Sequence, residues 1–194
     1  MISDLKCDLL RYFGIQAEGK RKYSIKARCR LVFLTWMHPG TRAVLLIRLQ
    51  LAATRLGHNW LATMIRRRNF SVNGIDVVNG AKIGPGLVLR HPQGVVVGAR
   101  AVIGRNATLM QAVTLGQKSF ENGVGGCPRL GDNVAIGAGS VLLGDISIGD
   151  GAQIGAHSLV TFDVPSMARV VAASAALRSE AGVDAAARSR VDRT

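Results

Sequence analysis

Apolar side chains recur every sixth residue through the middle of this 194-residue chain. Leu130, Ile136, Leu142, Ile148, Ile154 and Val160 form one run, with glycine following at 131, 137, 149 and 155. Val97, Ile103, Leu109 and Leu115 form an earlier run, with Gly98, Gly104 and Gly116 behind. Four residues past the anchors stand small or β-branched side chains: Ala101, Ala107, Val113, Ser119, Val134, Ser140, Ala152 and Ser158. A helix returns its apolar residues every three or four positions, and a strand every two. A period of six matches neither. It specifies a parallel β-helix, in which each hexapeptide is one side of a coil and its anchor points inward.

Three hexapeptides make a coil of about 18 residues, so Leu130 should stack on Ile148, Ile136 on Ile154 and Leu142 on Val160. The phase slips twice. Two extra residues fall between Leu89 and Val97, around Arg90-His91-Pro92-Gln93. A longer interruption separates Leu115 from Leu130, and its segment Gln117 to Arg129 carries Gly123, Gly125 and Gly126. That segment reads as an extruded loop. Interruptions of a repetitive scaffold are where function is expected.

With 48% apolar residues, the chain is not a wholly disordered one. Its three cysteines, Cys7, Cys29 and Cys127, lack the spacing of a disulfide framework or a zinc site. A reduced cytoplasmic setting is the default. The first residues lack a secretory pattern, and the longest oily stretch, Ala43 to Ala53, contains Arg48 and is too short to span a bilayer. Residues 1–74 hold 14 Lys/Arg against 3 Asp/Glu, whereas residues 75–194 are near balance. The basic half is either a solvated face or a surface for an anionic membrane, saccharide or lipid-linked acceptor. No recognition motif or aromatic array accompanies it, so nucleic acid is not an expected partner.

Residues 1–72 read as a helical segment. Ser3 is placed to cap a first helix, Pro39-Gly40 to mark a break, and Thr41 to Arg68 to pack long apolar runs, broken by Arg48, Arg55 and Arg66, against a neighbouring helix or subunit. Residues 73–172 carry the β-helix with its loop at 117–129. Residues 173–194, rich in Ala and Arg, read as a weakly structured tail.

His91 stands at the first slip, and Asp76 lies fifteen residues upstream, close to one coil. The spacing predicts the two side by side. An acid beside an imidazole fixes its tautomer and stabilises the imidazolium, the arrangement a general base uses to activate a hydroxyl. A surface histidine in a His-Pro turn is the alternative that spacing alone leaves open.

The run Gly74-Ile75-Asp76-Val77, then Gly80-Ala81-Lys82-Ile83-Gly84, His91-Pro92-Gln93-Gly94-Val95-Val96-Val97-Gly98 and Gln111-Ala112-Val113-Thr114-Leu115-Gly116 resembles the serine acetyltransferase family. Gly126-Cys127-Pro128-Arg129-Leu130-Gly131 and Leu143-Gly144-Asp145-Ile146 also resemble the colanic-acid and capsule acetyltransferases of the same hexapeptide superfamily. The resemblance covers about residues 38–172. It implies a left-handed β-helix, a homotrimer with active sites between subunits, and acetyl-CoA as donor, without a metal. By position it makes His91 the base and Asp76 its orienting acid. Gly116 would offer an oxyanion N–H, while Ala138 and Ala156 would either meet the pantetheine arm or serve only as the small residues that coil corners require. Lys118 and Arg129 are either contacts to CoA phosphates or the acceptor, or solvated charges. His157 does not complete the three-histidine set of the related β-helix carbonic anhydrases.

Two departures bear on the acceptor. Serine acetyltransferases carry an aspartate just before the base, where this chain has Arg90. Their extruded loop carries an Arg-His pair where this chain has Gly126-Cys127. Glycine cannot replace a guanidinium that grips a carboxylate. Arg90, Cys127 and Arg129 are therefore the candidate acceptor residues. The expected function is acetyl transfer from acetyl-CoA to a hydroxyl of a sugar, polysaccharide unit or lipid-linked saccharide, in the cytoplasm or at the inner membrane face. Serine is the alternative acceptor, and a non-catalytic binding β-helix the second alternative. The N-terminal helices are expected to allow assembly beyond one trimer.

Overall fold

A computed structural model describes residues 2–13, 37–118 and 125–172. Among the described residues, three helices, α1 (Ile2–Tyr12), α2 (Pro39–Arg55) and α3 (Asn59–Asn73), precede fourteen short strands. The strands form three parallel sheets, one per side of a prism: β1 (Asp76–Val77), β4 (Val96–Val97), β7 (Thr114–Gly116), β10 (Val141–Leu143) and β13 (Leu159–Val160) on the first face. The second face holds β2 (Lys82–Ile83), β5 (Val102–Ile103), β8 (Arg129–Leu130) and β11 (Ser147–Ile148). The third holds β3 (Val88–Leu89), β6 (Thr108–Leu109), β9 (Ala135–Ile136), β12 (Gln153–Ile154) and β14 (Arg169–Val170).

The register follows the six-residue period. Leu130 pairs with Ile148, Ile136 with Ile154, and Leu142 with Val160. Every anchor from Val97 to Val160 is 3% exposed or less. Where the sequence slips, the coil absorbs the difference at a corner. The first coil pairs Asp76 with Val96, and the loop-bearing coil pairs Val102 with Arg129. A last, shorter coil escapes the six-residue count: Val164 bridges Ile148, and Val170 pairs with Ile154.

The helices cap the first coil. α2 buries Ala43, Val44, Ile47 and Leu51 in the same core cluster as Ile75, Val77 and Leu89. Three details differ from the sequence expectation. Ser3 lies inside α1 rather than ahead of it, and bonds Asp4 instead of capping. Pro39-Gly40 is the first turn of α2, because Pro at the start of a helix gives up only an N–H that would have no partner. Arg48 does not interrupt the apolar run but is itself buried. α3 ends on Gly74, whose φ of 67° is the left-handed conformation of a helix stop and turns the chain into β1. Lys20-Arg21-Lys22 of the basic half, residues 119–124 of the extruded loop and the tail from 173 lie outside the described residues. Among the described residues no helix is long and apolar enough to cross a membrane.

Candidate active site

The corner between the third and first faces gathers several of the predicted residues. His91 occupies it in the first coil, in the turn between β3 and β4, and is exposed. Backbone bonds tie the successive turns of this corner together: Ala112 N–H donates to Gln93 O, Gly139 N–H to Gln111 O, and His157 N–H to Ala138 O, at 2.8 to 2.9 Å. His91, Ala138 and Ala156 therefore lie along one edge of the prism. Beside that edge runs a groove of about 450 Å³ whose walls include Arg90, Met110, Gly137, Gly155 and Arg169. A Cβ on Gly137 would stand 2.5 Å from the backbone nitrogen of Ala156, so this stretch is bare backbone by necessity. A flat strip of small residues leading towards a histidine suits an extended, flexible ligand arm.

The remaining predicted residues lie elsewhere. Gly116 and Lys118 leave the far end of the first face, at the next edge, and Cys127 returns there. Cys127 is 6% exposed, and its Sγ would lie 3.0 Å from a Cβ on Gly98, so it packs as a wall residue. Arg129 projects from the second face, where it makes an exposed ion pair with Asp145 at 3.4 Å. One face, roughly 13–17 Å of extended chain, separates the edge of His91 from the edge of Gly116. One chain alone does not bring them together.

Asp76 is engaged differently from the spacing expectation. It stacks on Val96, its N–H bonded to Val95 O, and both carboxylate oxygens accept from Arg66 of α3: Nε to Oδ1 at 2.5 Å and Nη2 to Oδ2 at 2.8 Å. No side-chain hydrogen bond joins Asp76 to His91 among the described residues. The bond to Asp76 raises the Arg66 guanidinium above its ordinary range, against the opposing effect of burial. A second cavity, about 510 Å³, opens over the pair and is lined by Thr63, Arg66, Arg67, Phe70, Ser71 and Asp76.

A further cation stands behind the site. Arg11 of α1 donates to Gly86 O at 2.6 Å, Ala107 O at 2.9 Å and Thr108 Oγ1 at 2.9 Å. Burial first, and then the charge of Arg90, push its guanidinium down. Nothing in the local sequence marks Arg11 or Arg66, because both reach the coil from helices and depend on tertiary placement. His157 is exposed at its corner with a φ of 55°.

Residues 128–161 match the family described as bacterial transferase hexapeptide, six repeats. The serine acetyltransferase of Helicobacter pylori strain J99 is 37% identical over 139 residues, spanning 72% of this chain and 81% of its own. Serine acetyltransferase 2 of Arabidopsis thaliana is 44% identical over 110 residues, 57% of this chain and 34% of the plant protein. This chain thus spans about a third of the plant relative's length. A crystal structure of the Neisseria gonorrhoeae serine acetyltransferase in complex with serine superposes with a TM-score of 0.72 at 31% identity, over 89% of this chain and 66% of that one. With that similarity the three-sided coil is a left-handed parallel β-helix.

Proposed function

This chain belongs to the serine acetyltransferase family, and we propose that it transfers acetyl from acetyl-CoA to the hydroxyl of L-serine. The observation that carries the reading is the edge on which His91, Ala138 and Ala156 stack beside a groove floored by Gly137 and Gly155. In this mechanism His91 removes the acceptor hydroxyl proton as the oxygen attacks the thioester carbonyl. The Gly116 N–H meets the developing oxyanion, and CoA leaves with a proton returned from the imidazolium. Asp76, held by Arg66, orients the imidazole. Ala138 and Ala156 let the pantetheine arm lie flat, with Lys118 available to its phosphates.

The division of His91 and Gly116 between two edges supports a homotrimer. In such an assembly the His91 edge of one copy faces the Gly116 edge of the next, and one copy supplies what the other lacks.

The expected saccharide acceptor gains no support from these relatives, which are serine acetyltransferases. It survives as a second reading on one observation, the acceptor side of the site. Arg90 lines the groove next to His91, and Gly126-Cys127 stand at the loop positions expected to grip a carboxylate. Initial rates of CoA release with L-serine against a panel of hexoses and nucleotide sugars decide between them. Serine turning over fastest, at a kcat/KM of about 10⁴ M⁻¹s⁻¹ or more, supports the first reading. A sugar turning over at least tenfold faster than serine overturns it.

A further inference from the structure

We propose that Arg66 is a positioning residue for the base: it holds Asp76 and sets how strongly that carboxylate acts on His91. The proposal rests on the reading of His91 as the base and Asp76 as its partner. Its physical content lies in the bidentate contact, 2.5 and 2.8 Å, between the α3 guanidinium and both Asp76 oxygens. Each side chain of the pair is less than a third exposed. A planar fork closed on a carboxylate fixes its plane and rotamer, which a lone hydrogen bond does not.

Each Asp76 oxygen keeps a second lone pair, so the carboxylate still has an acceptor position for an imidazole N–H. Its negative charge, however, is shared with a cation in direct contact. An Asp76 held this way orients a ring without strongly stabilising its protonated form. Removing Arg66 would leave the carboxylate charge uncompensated, which favours the protonated form of a ring beside it. Arg67 shares the cavity wall with the pair, and Arg90 stands in the turn of His91, on the wall of the other groove. Arg11 of α1 stands close enough to Arg90 to feel its charge. All three are cationic; Asp8, the anion near Arg11, is closed on Arg48, and Asp76 is the anion that Arg66 holds.

The test compares wild type with Arg66→Gln, Arg66→Lys, Asp76→Asn and the double variant Arg66→Gln/Asp76→Asn, each checked for native circular dichroism. Arg66→Gln should lower kcat about tenfold with KM for acetyl-CoA within about twofold. It should move the acidic limb of the pH–rate profile up by about half to one pH unit. Arg66→Lys should recover part of both effects. In the Asp76→Asn background, Arg66→Gln should add nothing.

A second arm needs no acceptor. The carbethoxylation rate of His91 by diethyl pyrocarbonate at about pH 6, followed by peptide mass spectrometry, should fall about threefold in Arg66→Gln. It should be indifferent to Arg66 once Asp76 is Asn. Equal rates and profiles in wild type and Arg66→Gln, or equal effects with and without Asp76, overturn the proposal. A wild type that transfers acetyl to no acceptor overturns the catalytic reading instead, and the carbethoxylation arm still decides the linkage of Arg66 to His91.

Discussion

Arg48 of α2 and Asp8 of α1 form a buried two-point ion pair, Nε to Oδ2 at 2.7 Å and Nη2 to Oδ1 at 2.9 Å, with both side chains 3% exposed or less. The remaining capacity of each partner is spent on the first coil. Arg48 donates to Ile83 O and Gly84 O, and Asp8 accepts from the N–H groups of Gly86 and Leu87. Two helices are thereby riveted to the β-helix by one pair. Asp8→Ala leaves a buried guanidinium without its counter-charge, so it should lower unfolding stability by about 3–5 kcal/mol. The midpoint of urea denaturation measures it, and a loss below about 1 kcal/mol would contradict the buried pairing.

Inside the coil, Leu142 is fully buried, stacked between Leu115 and Val160. Leu142→Ala removes the contact with both neighbours at once. The expected cost is about 2–5 kcal/mol, with the same overall fold by circular dichroism.

Gly137 is tested in the opposite sense. A Cβ there meets backbone atoms of the next coil at 2.5 Å, and backbone cannot step aside as a flexible side chain would. Gly137→Ala should cost about 1–3 kcal/mol. It should also raise KM for acetyl-CoA, because the groove floor moves with the coil.

The scaffold was largely legible in the sequence because each coil repeats one local requirement, an inward apolar residue every sixth position. Leu130 to Val160 obey it with no help from distant parts of the chain. Val164 and Val170 did not show, since their coil is two residues short and breaks the count that reveals the others. Arg48 read as an interruption, because its counter-charge lies 40 residues away on another helix. The edge shared by His91, Ala138 and Ala156 obeys the coil period, but it is the family resemblance, not the period, that singles out Ala138 and Ala156. Arg66 follows from no period. It meets Asp76 only because α3 stops at Gly74 and folds onto the first coil, a tertiary event that residue spacing does not encode.

The helices should be required for a well-behaved β-helix. α2 covers Ile75, Val77 and Leu89 with Val44, Ile47 and Leu51, and burying each such side chain contributes about 1.5–3 kcal/mol. A chain beginning at Asn73 exposes that end as an apolar patch and should aggregate or change its assembly state. Light scattering reads the outcome. A truncated protein with the solubility and mass per assembly expected of the full chain minus its helices would count against this role.

The most direct measurement of the central claim is acetyl-CoA-dependent thiol release with L-serine by wild type and His91→Ala, both shown to be folded and to share one assembly state. His91 lies outside the buried anchors and makes no side-chain hydrogen bond among the described residues, so its removal should leave the fold intact. The account predicts steady release by wild type and a loss of about a hundredfold or more in kcat for His91→Ala. Release by the variant at more than about a tenth of the wild-type rate would contradict the assignment of His91 as the base that activates the acceptor.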